Sequence, residues 1–230
     1  MANLLKLFCD VNEKKLVKSP FDATNYTLPA FYNSDKVPIE LQLLMPNARG
    51  GLSHQYEALE EATSVELGLV TVDYPPVERA AIVMTQAYKL WTVEIISGGT
   101  NWNIGDTATV VTTSANAAAT VLVTGAASGV VTSVQILKEG IITNTGAHPA
   151  TGVTTTKLVY ANSSASGLTL RVVWAGIHTG ILDLTTSAFD TWLGTDLTKE
   201  TTFEIRAWSG SDWEQTVFQT TATVKQEGFA

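Results

Sequence analysis

The 230 residues are enough for one large domain or two small ones, with a sizeable buried core in either case. A formal net charge of −8, with no basic run longer than Lys14-Lys15, excludes a surface built to neutralise phosphates, so no nucleic acid is expected as a partner. Charged residues make up only 16%, beside 45% hydrophobic ones, and the difference is taken up by Thr, Ser, Ala and Gly, a mixture that favours strands and turns.

Cys9 is the only cysteine, which excludes an internal disulfide and a multi-thiolate metal site and predicts a buried, inert thiol in the first strand. Leu4, Leu5, Leu7 and Phe8 near the start do not form the apolar run of a signal peptide. Synthesis in a cytoplasm without a leader is the expectation. No stretch approaches the ~18 consecutive apolar residues of a spanning helix, so membrane insertion is not expected.

In chain order, Leu5 to Val11 reads as a first strand, followed by the polar turn Asn12-Glu13-Lys14-Lys15. Asp10 to Lys14 begins like a calcium loop but lacks its glycine and distal glutamate, and reads as a turn. Val37, Ile39, Leu41 and Leu43 alternate with other residues as a half-buried strand does, and Pro38 puts that strand at an edge or itself near the strand's beginning. His54 to Ala62 reads either as one or two helical turns or as a polar loop. Val65, Leu67 and Leu69 alternate again, and Tyr74-Pro75-Pro76 ends that strand. Ala80 to Thr92 fits strand and helix periods alike and marks a junction.

Beyond residue 157 the alternation resumes. Leu168, Leu170, Val172 and Trp174 share one face and are expected in the same core as Val65 to Leu69. Thr185 to Gly194 holds a threonine cap, Phe189, Trp192 and Leu193 at helical spacing, and a glycine stop, which predicts a short amphipathic helix. Phe203, Ile205 and Ala207 mark another strand, Ser209 to Asp212 a hairpin turn, and Trp213 to Val224 the last strand. The pattern predicts a mainly β protein, an antiparallel β-sandwich with one short helix, built from 1–92 and 158–230 and interrupted by a small β module at 93–157.

That module contains an internal echo. Val93 to Gly99 and Val134 to Gly140 are each a strand ending in a glycine turn, the first followed by Thr100-Asn101-Trp102-Asn103-Ile104-Gly105-Asp106. Thr107 to Thr112 and Ala118 to Thr124 form a hairpin through Ser114-Ala115-Asn116, and Ser128-Gly129-Val130-Val131 leads into the second copy. Gly98, Gly99, Trp102, Gly105, Asp106, Gly129, Val131 and Gly140 together resemble a glycine-rich β module that recurs in virion proteins of tailed bacteriophages. The second copy has Ile141 and Ile142 where an aromatic is common. The flanks, Leu7 to Leu16, Val37 to Leu44 and Phe203 to Arg206, resemble strands of phage tail and baseplate proteins with an immunoglobulin-like sandwich. The resemblance implies a non-enzymatic virion component of the tail or baseplate. Its partners would be copies of itself and other virion proteins. A capsid decoration or head-fibre protein and a host-glycan-binding adhesion module are the alternatives it leaves open.

The residues themselves suggest no catalytic, cofactor or metal site. His54, His148 and His178 lack metal-ligand spacing and are expected to be exposed or locally bonded. Gly50-Gly51 and Gly98-Gly99 match no phosphate-binding loop, and no G-x-S-x-G occurs. Glu57, Glu60, Glu61, Asp190 and Asp212 would supply a glycosidase pair only in the sense that any acidic protein does. Of the tryptophans, Trp174 and Trp192 fall at core positions, whereas Trp208 and Trp213 flank a turn across which they are expected to pack as a pair. If exposed instead, Trp208, Trp213 and the module's Asn101 and Trp102 would form an interaction surface for a neighbouring subunit or a host surface glycan.

Overall fold

A computed structural model describes residues 4–46, 52–54, 64–70, 78–111, 119–143, 157–209 and 213–227. The N-terminal part supplies β1 (Leu5–Asp10), β2 (Lys15–Ser19), β3 (Asp22–Asn25), β4 (Phe31–Tyr32), β5 (Lys36–Pro46), β6 (Leu52–His54) and β7 (Ser64–Val70). The middle supplies β8 (Glu78–Thr100), β9 (Thr107–Val111), β10 (Ala119–Ala127), β11 (Val130–Lys138), β12 (Ile142–Thr143) and β13 (Lys157–Tyr160). After β14 (Ser166–Asp183) come α1 (Ser187–Leu193), β15 (Thr198–Ser209) and β16 (Trp213–Lys225). The protein is mainly β, as the alternation and the turn residues predict. The helical alternative for 55–62, the Ser114–Asn116 turn, His148 and the Gly210–Asp212 turn lie outside the described residues.

The chain divides into two compact units, 1–85 with 177–230 and 86–176. Both crossings fall inside strands, β8 and β14, whereas the sequence places the junctions after 92 and 157. The ambiguous stretch Ala80 to Thr92 is part of the uninterrupted β8. Its apolar residues satisfy two different cores in succession, which is why no single period describes it.

In the first unit the strand order is β3-β2-β1-β5-β14-β8-β7-β15-β16-β4, with β6 beside β5. The sheet is mixed rather than wholly antiparallel: β1 runs parallel to β5 (Leu7 opposite Leu41) and β4 parallel to β16 (Phe31 opposite Val224). The reason lies in connectivity, since β1 and β5 are joined through three intervening strands and not through a hairpin. Pro38 sits in β5 opposite Ile181 of β14, one residue before the ladder with β1 begins at Ile39, so its missing N–H costs no bond to β1.

Inward residues from both halves of this sheet meet in one core: Leu7, Leu16, Ile39, Leu41 and Leu43 from one side, and Leu67, Leu69, Phe203, Ile205 and Val224 from the other. Phe31 and Phe203 stack with ring centroids 6.1 Å apart. The predicted helix is present and closes this core with Phe189 and Leu193. Thr186 caps it by accepting from Phe189 N at 3.3 Å. Gly194 ends it at φ 63, a left-handed turn that L side chains avoid, and the Lys199 ammonium donates to Trp192 O at the last turn.

In the second unit β11-β10-β9-β13 form an antiparallel sheet, and β12 pairs with β8. Leu168, Leu170, Val172 and Trp174 are buried as their alternation predicts, but they belong to this unit and not to the core of Val65 to Leu69. The strand β14 serves both units, so its one apolar face does not identify one core.

Candidate functional site

The turn between β8 and β9 carries the glycine-rich motif, and each of its residues has a geometric task inside the second unit. A Cβ on Gly98 would sit 2.5 Å from Val131 O, so only glycine lets the two strands approach this closely. Gly99 adopts φ +63 against the backbone of Ser166 and Gly167, a position closed to side chains on both counts. These two residues set the chain so that Trp102 turns inward.

Trp102 is 1% exposed. Its ring meets Tyr160 edge-on at 5.0 Å, its Nε1 donates to Ser166 O at 3.3 Å, and its backbone N donates to Gly129 O at 3.0 Å. An indole with its one polar atom bonded is a large apolar plug that is not penalised for burial. Asp106 then fastens the turn: its Oδ2 accepts from Asn103 N and from Asn162 Nδ2, each at 2.8 Å. Asn162, followed by Asn103, holds the Asp106 carboxyl below the usual carboxylate range. The Asn162 amide also donates to Asn101 O at 3.1 Å, and Asn101 Nδ2 donates to Ser164 O at 3.1 Å.

Asn101 is exposed with φ 62, a left-handed conformation that asparagine adopts more readily than most residues, and here its side chain is held by Ser164 O. The second copy reuses one part of the device. Gly140 has φ 65, as Gly99 has 63, and after it Ile142 is buried while pairing with Tyr88 of β8. An aliphatic residue suffices there because it fills a strand position rather than a turn.

The four residues expected at an interaction surface are therefore placed differently. Asn101 and Trp102 lie in the second unit, and Trp208 and Trp213 in the first. Trp102 offers no face to a ligand, because it is spent as the plug of its own unit. Trp208 is half-buried on β15 opposite Glu214, and Trp213 is opposite Ser209. The expected tryptophan pair across the hairpin is thus not a directly opposed pair. The register is shifted by one residue from the symmetric arrangement that would join them.

The chemistry-bearing side chains are dispersed. Among the described residues no group of three or more His, Cys, Asp or Glu is arranged to hold a metal. Cys9 is fully buried on β1, and that burial, with Asp10 beside it, pushes its thiol up to about 12, which leaves no reactive thiolate. Asp10 is a turn residue: its Oδ1 accepts from Asn12 N at 3.1 Å and Glu13 N at 3.0 Å, and Lys14 follows with φ 50. His178 departs from expectation, since its Nδ1 is enclosed with no hydrogen-bond partner among the described residues. Its environment offered no sequence signal, because it falls among the apolar residues of a long strand.

Asn162 is the organising residue that the sequence conceals. Its only signal is the cluster Asn162-Ser163-Ser164 between two apolar runs, which predicts a turn but not what the turn holds. Comparison with family models, with curated proteins and with solved structures yields no match.

Proposed function

We propose that the chain is a non-enzymatic structural component of a bacteriophage virion, of the tail or baseplate, which works by assembling with copies of itself and with neighbouring virion proteins. The observation that carries this reading is the interlocked turn of the second unit. Gly98, Gly99, Trp102 and Asp106, the residues in which the sequence resembles the phage module, each make a contact that the turn requires. Residues consumed by the module's own construction mark a rigid building block, and a virion component needs rigid blocks more than mobile loops.

A glycan-binding role is less well supported, because the aromatic platform it requires is buried at Trp102. The reading is tested by antibody labelling of intact particles from the source of this sequence, followed by electron microscopy. Label at the tail or baseplate is the expected result. Label on the capsid would favour a decoration protein, and absence from purified particles would overturn the proposal.

A further inference from the structure

Two described edge strands show how exposed edges are managed here. β3, at one end of the first unit's sheet, has four residues and begins with Asp22, a short and charged edge. β11, at one end of the second unit's sheet, is approached at both ends by β8, through Gly98 against Val131 and through Leu90 N donating to Glu139 O at 2.9 Å. β16 is treated differently.

β16 has 13 residues and pairs along its whole length with β15 on one side. On its other side, among the described residues, its only ladder partner is the two-residue β4, at Val224 and Lys225. From Gln215 to Thr223 no described residue bonds that outer edge through its backbone. The residues along it, Gln215-Thr216-Val217-Phe218-Gln219-Thr220-Thr221-Ala222-Thr223, contain no charge, no proline and no glycine. A long uncharged edge of β-formers carries an unpaired row of N–H and C=O groups, which is a template for another strand.

We infer that β16 pairs edge to edge, antiparallel, with β16 of a second copy of this chain. The inference deepens the proposed self-assembly and rests on it. Self-assembly supplies the occupant and charge selects the surface: at net −8 two copies repel, and an uncharged edge is where they approach at least cost. Antiparallel pairing of identical strands is isologous, so it closes as a twofold dimer and leaves no further β16 edge open.

The register is also constrained. Ile205 faces Phe218 but Arg206 faces Thr216, so Val217 is an extra residue, a bulge that limits the regular run to Phe218 and beyond. Thr220, opposite the core residue Phe203, belongs to the inward row, whereas Gln219 and Thr221 belong to the outward row. A twofold centred at Thr220 sets Gln219 of one copy opposite Thr221 of the other.

Sedimentation of the purified chain and two double variants tests this, with circular dichroism confirming the fold of each. The wild type is expected at twice 24.6 kDa. Q219K/T221K brings lysines face to face at both symmetry-related positions, and the mass should fall by half. Q219E/T221K sets opposite charges across the same positions and should restore the dimer. A wild type that stays at single-chain mass at every concentration would overturn both this inference and the self-assembly reading. A multimer unchanged in both variants would overturn the β16 interface alone, and loss of assembly in both would overturn the antiparallel register.

Discussion

The two units bury alternating strand residues alike and differ in the element that closes each core. The first spreads the task over many equivalent residues: alternating Leu, Ile, Val and Phe side chains from the two halves of a bent sheet fill one interior, and a capped helix closes it. In the second, where Val110, Val121, Leu168, Leu170, Val172 and Trp174 are likewise buried, the closing element is one turn in which two glycines permit a close approach, one tryptophan fills the space and one aspartate ties the ends. In either unit a truncation costs most where the side chain removed is large and its surroundings cannot close on the space, and the turn around Trp102 meets both conditions.

The sharpest way to break that contrast is Trp102→Ala. The substitution leaves a cavity at the end of the sheet and removes the edge-on contact with Tyr160, at a cost of about 3–5 kcal/mol. Hydrogen exchange should show protection falling by that amount at Val121 and Leu170 of the second unit. Protection lost equally at Leu67 and Ile205 would mean that the division into units is not a division of stability.

His178 supplies the next effect, in the first unit. It lies on β14 opposite Leu41, a core residue, and desolvation lowers its pKa from 6.5 to about 4. The folded protein therefore keeps the imidazole neutral where the unfolded chain protonates it. Stability should be level above pH 6.5 and fall as the pH drops toward 4, by at most about 3 kcal/mol. The carboxyl of Asp183, held down to about 2 by the Lys36 ammonium and by Thr185, keeps its stabilising charge above 3.8 and loses it only as the pH falls further, so the two windows are separate. Urea unfolding of wild type and His178→Leu across that range checks the assignment. A variant with an unchanged pH slope would remove His178 as its source.

The contrast between the units also decides what could be read from the sequence. Alternation is local, and it located β1, β5, β7, β15 and β16, while Thr186 and Gly194 marked both ends of the helix. Two features were not local. The face of Leu168 to Trp174 shows that these residues are buried but not among what, because β14 passes from one unit to the other. The parallel pairing of β1 with β5 depends on three intervening strands rather than on either partner's residues. At the candidate site the glycines and Asp106 announced a tight turn. The inward direction of Trp102 depended on Tyr160 and Ser166, some sixty residues later in the chain, so the same indole could be read as an exposed anchor.

A buried polar position on the other face of β5, turned away from the core side chains of Leu41 and Leu43, gives the smallest effect. Gln42 is fully buried in β5, opposite Phe8 of β1, and neither its Oε1 nor its Nε2 has a hydrogen-bond partner among the described residues. An amide enclosed without partners forfeits its hydration and gains nothing in return, which costs about 1–3 kcal/mol. Methionine has nearly the same length and flexibility and no polar group to strand, so Gln42→Met should raise stability by about 1 kcal/mol after allowance for imperfect repacking. Denaturant titration would show a higher midpoint with an unchanged slope. A loss of stability would mean that the amide is bonded in solution, and that β5 carries a polar contact in the first unit comparable to the one Asn162 makes in the second.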